Sequence, residues 1–195
     1  MRDSTGDAAA SATTARIARR VSALRQQREL SLEALAQRCQ VSKSMISLIE
    51  RGESSPTAVV LERLAAGLGV ALASLFDDEA APPSPLSRRD AQLQWRDPAS
   101  GYVRRNLSPP NHASPLQLVA VELPPGARVM YDSASRTTEL HQQVLVLDGV
   151  VEATSGNEVT RLEAGDCLAM RLDQNNGYHN PGRKTARYIV AIATR

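Results

Sequence analysis

The chain is 195 residues long, 42% hydrophobic and 23% charged, a balance that excludes a wholly disordered polymer and, at roughly 150 residues per domain, leaves one large domain or two small ones. Aromatic residues make up only 3%, with one Phe and one Trp, so any core must be mainly aliphatic. The net charge of +2 is too small to announce a nucleic-acid partner by itself, yet residues 1–76 carry 10 basic and 7 acidic side chains while residues 77–195 carry 13 and 14, so a partner that favours positive charge should meet the N-terminal part.

Cys39 and Cys167 lie far apart with no CxxC and no companion cluster, which excludes a disulfide framework and a zinc finger. No apolar run approaches the roughly 20 residues that cross a bilayer, and the polar start lacks the apolar stretch of a secretory signal. The chain is therefore read as cytoplasmic and reduced, with no membrane partner.

Residues 1–13 are mostly Ala, Ser, Thr, Gly and Asp and are expected to form a disordered tail. From 14 to 76 apolar residues recur at helical spacing in five short groups: Ile17, Val21, Leu24; Leu32, Leu35, Ala36; Val41, Met45, Ile46, Ile49; Val60, Leu61, Leu64, Leu68; and Leu72, Leu75, Phe76. Ser31 and Ser42 are placed as N-caps, Gly52 ends one helix, Pro56 precedes the next, and Gly67 with Gly69 loosens the turn before the last. Five helices are expected. Residues 77–89 begin acidic and turn proline-rich, as a linker does. From about 90 to 195 the period changes to 2. The runs LQLVAVELPPG, HQQVLVLDG, VVEATSG, EVTRLEAGDCLAMRL and ARYIVAIA each end near Gly, Pro, Asn or Asp, which predicts an antiparallel sandwich or barrel.

The segment 31–52, SLEALAQRCQVSKSMISLIERG, holds a helix, a tight turn through Gln40 and Val41, and a second helix. With its flanking helices it resembles the helix-turn-helix unit of the phage-repressor-like (XRE-type) transcription regulators. If Leu35, Ala36, Val41, Ile46 and Ile49 face inward, the helix opening at Ser42 presents Lys43, Ser44, Ser47 and Leu48 outward. A helix of this width fits the major groove of DNA, and the resemblance implies that these positions contact bases. Lys43 suits guanine O6 or N7, the serines donate or accept, and Leu48 offers apolar contact to a thymine methyl. Ser31, Ser42, Arg51, Ser54 and Thr57 sit where helix starts and hydroxyl or cationic groups meet phosphates. With so few cations per subunit, a single unit should bind weakly. The resemblance further implies that Arg25 and Glu50 form a scaffold ion pair.

Gly126, the run ending at Gly149, LEAGD around Gly165, and the NPG at 180–182 resemble a cupin, a double-stranded β-helix barrel that often carries a metal. Alignment on Gly149 places Arg136, Thr138 and Gln142 at the first-motif metal ligands, and alignment on Asn180 places Asn176 at the last. None is imidazole or carboxylate, so a metal-free barrel without catalytic residues or cofactor is expected. His141 and His179 are offset by one residue and should point to the other face. Arg136, Thr138, Gln142, Asn176 and Tyr178, among Val144 and Val146, would converge as a concave pocket for a small organic anion, with Arg136 as its clamp. The chain is thus expected to be a multidomain α + β regulator, a homodimer reading an inverted repeat in double-stranded DNA and sensing a small-molecule effector. The alternative is a metal-dependent cupin epimerase or oxygenase carrying a helix-turn-helix unit.

Overall fold

The computed structural model describes residues 4–77, 84–112, 114–131 and 140–194. The helical part has four α-helices, α1 (Ser4–Gln27), α2 (Leu32–Cys39), α3 (Lys43–Glu50) and α4 (Ala58–Leu68), where five were expected. The fifth apolar group forms a 3-10 helix, Leu72–Phe76. It spans only five residues, the short length at which the tighter 3-10 form is found, and opens at Ala71 with no side-chain cap. The expected tail is corrected as well, because α1 begins at Ser4; the Ala-rich stretch has high helix propensity. Residues 1–3 lie outside the described residues.

Polar caps set the other boundaries. Backbone amides of Ala34, Met45 and Val60 donate to the side chains of Ser31, Ser42 and Thr57 at the starts of α2, α3 and α4. Gln40 and Gly69, both in the left-handed region, end α2 and α4. Gly67 is not a turn residue. It lies inside α4, where an added Cβ would stand 2.7 Å from that of Cys39, so its bareness lets α4 close on α2. Ile17, Val21, Leu35, Ile46, Ile49, Leu61 and Leu64 are almost wholly buried between these helices. Each such side chain contributes about 1.5–3 kcal/mol relative to exposure.

Ten strands follow: β1 (Gln94–Arg96), β2 (Val103–Asn106), β3 (Leu116–Leu123), β4 (Arg128–Tyr131), β5 (Leu140–Asp148), β6 (Val150–Ser155), β7 (Glu158–Glu163), β8 (Cys167–Arg171), β9 (Asn176–His179) and β10 (Ala186–Thr194). They form two antiparallel sheets, β1-β2-β3-β10-β5-β8 and β4-β9-β6-β7, instead of the closed barrel expected. Their inner faces share one core: Val119, Val121, Leu123, Val144 and Val146 from the first sheet, Val129, Val151, Ala153 and Tyr178 from the second. No ladder joins the two sheets into a closed barrel among the described residues. The run 158–172, read as one strand, divides into β7 and β8 around Gly165, whose φ is +97°.

Helices and sheets meet through named contacts. Asp97, in the turn after β1, accepts at Oδ1 from the first backbone N–H of α4, Ala58, at 3.0 Å, and at Oδ2 from Ser100 N, also at 3.0 Å. Thr13 Oγ1 donates to the Gln94 carbonyl and Asn106 Nδ2 to that of Ala73. The Phe76, Trp95 and Tyr102 rings follow one another at 6.1 and 6.3 Å. One hydrophobic cluster runs through both parts.

Candidate nucleic-acid interface and the cavity behind it

Helix α3 is anchored by Ile46 and Ile49, which are 0% and 1% exposed. Its leading end is open. Ser42, Lys43, Ser44 and Met45 are exposed, and Ser47 and Leu48 lie half-buried one turn further on. Met45 departs from the inward position its spacing suggests and takes a weak contact from Ser54 Oγ at 3.8 Å. Lys43 Nζ stands 3.5 Å from Glu33 Oε2, an exposed pair that water screens and a stronger acceptor displaces. Ser44 Oγ is 3.2 Å from Ser42 Oγ.

Ser31 is exposed at the α2 start and Ser54 and Thr57 are half-buried before α4. Arg51 closes α3 with a bidentate bond to Glu53, at 2.8 Å from both Nε and Nη2, while Nη1 donates to Ser47 Oγ. The hydrogen bonds to Glu53 raise the Arg51 pKa, with its Coulombic attraction second to a small opposing desolvation. A phosphate at this position must therefore compete with Glu53. Behind the helix, Arg25 meets Glu50 through Nε at 2.7 Å and Nη2 at 2.8 Å, and its Nη1 donates to the Leu30 carbonyl. These side chains are 15% and 10% exposed, and the hydrogen bonds to Glu50 raise the Arg25 pKa. The pair ties the end of α1 to the end of α3.

A cavity of about 40 Å³ lies where the β unit meets the helices. Gln142, Asn176 and Tyr178 line it. Val144 and Val146, expected in the wall, are core residues further along the inward face of β5, 0% and 1% exposed. The cavity sits at the other end of that strand, beside Leu140. Arg136 and Thr138 fall outside the described residues. Among the described residues the cation lining the cavity is Arg104 on β2, accompanied by Tyr102, Tyr131 and Tyr188, none of which sequence reasoning singled out. Glu62 of α4 and Leu72 of the 3-10 helix close it on the helical side.

Arg104 is 5% exposed. Its guanidinium carbon lies 5.6 Å from the Phe76 ring centre and its Nε donates to Asn106 Oδ1 at 3.4 Å, but Nη2 has no acceptor. Among the described residues no carboxylate reaches it within ion-pair distance. The Tyr188 hydroxyl, on a residue 1% exposed, is likewise without a partner. Gln142 Nε2 donates to Tyr178 Oη at 2.6 Å, leaving the phenol proton to be donated elsewhere. Burial, and next the neighbouring Tyr102, holds the Tyr131, Tyr178 and Tyr188 phenols above the usual range, against the smaller opposing pull of Arg104.

His179 pairs with Glu152 across the β6–β9 ladder, Nδ1 to Oε2 at 2.8 Å, and His141 lies on the opposite face of β5 from Gln142. Among the described residues no group of three or more His, Cys, Asp or Glu side chains is disposed to hold a metal. No described helix is long and apolar enough to cross a membrane.

The profile of the HTH_3 family, described as helix-turn-helix, matches residues 21–75. The HTH-type transcriptional regulator SutR of Escherichia coli (strain K12) is 30% identical over 170 residues, covering 87% of this chain and 89% of that protein. A crystal structure of an HTH_3 family transcriptional regulator from Vibrio cholerae superposes with a TM-score of 0.76 at 25% identity, covering 94% and 97% of the two chains. The likeness to both extends across helices and β unit together.

Proposed function

The chain belongs to the HTH-type transcriptional regulators, and from that membership we propose that it reads an inverted repeat in double-stranded DNA as a homodimer, while its β unit pairs the subunits and senses a small molecule. The observation that carries the reading is the open leading end of α3, where Lys43 and Ser44 are exposed and Ser47 and Leu48 follow one turn on, above the buried anchors Ile46 and Ile49. Lys43, Ser44, Ser47 and Leu48 contact bases in this reading. Ser31, Ser42, Arg51, Ser54 and Thr57 contact phosphates.

Only two of these nine groups, Lys43 and Arg51, are cations. Affinity therefore depends on doubling the contacts by two-fold symmetry, and its salt dependence is shallow. Division of the chain into a DNA-binding unit at 14–76, a connection at 77–89 and an effector and pairing unit at 90–195 is part of the proposal. No residue is assigned a catalytic role: the positions aligned with cupin metal ligands hold amides at Gln142 and Asn176, poor partners for a divalent ion. A DNA-binding protein of this kind acts in the cytoplasm. The effector alters DNA binding only by as much as it favours one arrangement of the dimer over another.

The test is a mobility-shift comparison of the wild type with the Lys43→Ala, Ser44→Ala double variant, on a selected duplex and on a scrambled one. The double variant is expected to bind both equally weakly. Retained discrimination would remove the recognition helix from the account.

A further inference from the structure

A buried guanidinium without a counter-ion is among the costlier things a fold can hold, because desolvation penalises the charge and each unmet N–H adds to that. Among the described residues Arg104 meets no carboxylate within ion-pair distance and its Nη2 has no acceptor, and it lines a cavity together with a second orphaned donor, the Tyr188 hydroxyl. Tyr178, its acceptor side taken by Gln142, presents a third donor to the same space. Against these three donors, one of them cationic, the lining sets one orphaned acceptor, Glu62 Oε1, and an aliphatic wall of Leu140, Leu172, Val190 and Ile192, so donors outnumber acceptors in a partly apolar void.

We infer that the cavity at the helix–sheet junction binds a small oxyanion, held by Arg104 Nη2 and the Tyr188 and Tyr178 hydroxyls. This rests on the reading of the β unit as an effector unit, and it names the effector's chemistry and moves its clamp from Arg136 to Arg104. Size narrows the class. By the same measure a water needs about 10–15 Å³, so about 40 Å³ accommodates a group near the size of acetate, pyruvate or sulfate. The raised phenol pKa values keep the tyrosines as donors at neutral pH. Glu62, which has a partner although its Oε1 accepts no hydrogen bond, and Leu72 form the opposite wall, so an occupant touches the helical part directly and is placed to bias its seating on the sheets.

The experiment is thermal unfolding of the full chain, at constant ionic strength, with acetate, pyruvate or sulfate replacing chloride and with acetamide as the uncharged control. Variants Arg104→Met and Tyr188→Phe are run in parallel. Each removes an orphaned polar group, so both should fold, and neither should melt below the wild type in chloride. The wild type is expected to rise in Tm with at least one oxyanion and not with acetamide, and apparent affinity should fall at least about tenfold in Arg104→Met and measurably in Tyr188→Phe. Response to acetate or pyruvate alone identifies a carboxylate, and response to sulfate alone an inorganic anion. No oxyanion response in the wild type, or an equal response in Arg104→Met, overturns the inference. If Arg104→Met does not fold, an unchanged response in Tyr188→Phe overturns it. DNA affinity of the same samples is read separately by fluorescence anisotropy. Intact DNA binding without an oxyanion response rejects this site alone, whereas an oxyanion response without DNA binding rejects the regulator reading.

Discussion

Arg25 and Glu50 face each other through two parallel hydrogen bonds, both side chains largely out of water. Removing one partner leaves a buried charge uncompensated. Glu50→Ala is expected to destabilise the protein by about 3–5 kcal/mol in urea unfolding, and the double variant Arg25→Met, Glu50→Leu by less than that single change. A Glu50→Ala cost below about 1 kcal/mol would place the pair on the surface in solution. The buried phenols give a pH signature with a definite sign. Tyr131, Tyr178 and Tyr188 have folded pKa values above their usual value of about 10, chiefly through burial, so the fold favours their neutral forms. Their contribution is complete below that pH and is lost as pH climbs from about 10 toward the folded values. Absorbance at the tyrosinate band should therefore lag behind free tyrosine and jump with alkaline unfolding. Simple titration of every tyrosine near pH 10 with circular dichroism unchanged would contradict this burial.

At the scale of the element, the helix starts decide most of the geometry. Asp97 is a side chain of the β unit that caps a helix of the other part, placing carboxylate oxygen on the Ala58 N–H, where the helix dipole favours negative charge. Asp97→Ala strands that N–H and the Ser100 N–H in buried surroundings. It is expected to cost about 2–3 kcal/mol by chemical denaturation, with Asp97→Asn costing less because one oxygen remains. A change within about 0.5 kcal/mol would show that the Asp97 cap does not help to seat the two parts. The helices α2 to α4 were legible in the sequence because Ser31, Ser42 and Thr57 mark their starts and the apolar period is strict. Strands β3, β5, β6 and β10 were legible for the same kind of reason, being β-branched and alternating. Strands β1, β2, β4 and β9 read QWR, VRRN, RVMY and NGYH, too short and polar for any period to emerge. Arg104 therefore went unseen. A charged residue is assigned to the surface by default, and only its ladder partners and the helical lid above it put it inside. Thr13 was lost to the same default, in a stretch whose composition suggested disorder and whose alanines instead extend α1.

At the scale of the whole molecule, the helices do not hang from the sheets by a thread. Thr13, Asp97, Asn106 and the ring series Phe76, Trp95, Tyr102 join the two, and the cavity takes a wall from each. In the proposed reading this shared seam would couple an occupant of the cavity to the DNA-reading end, through the 3-10 helix to α4 and from α4 to α2, which packs on α3. Gln142 and Asn176 were placed in a pocket by the resemblance to cupin metal-ligand positions, with Tyr178 beside them, and all three line that cavity. Its position against the helical part was not readable, because it depends on how two separately folded patterns dock. The most direct trial of the account is selection from a randomised duplex pool with the full chain. Enrichment of an inverted repeat whose half-sites are centred about 10–10.5 base pairs apart, or a multiple of that spacing, is the predicted outcome. A pool that remains without sequence preference after repeated rounds would contradict the assignment of α3 as a reader of DNA.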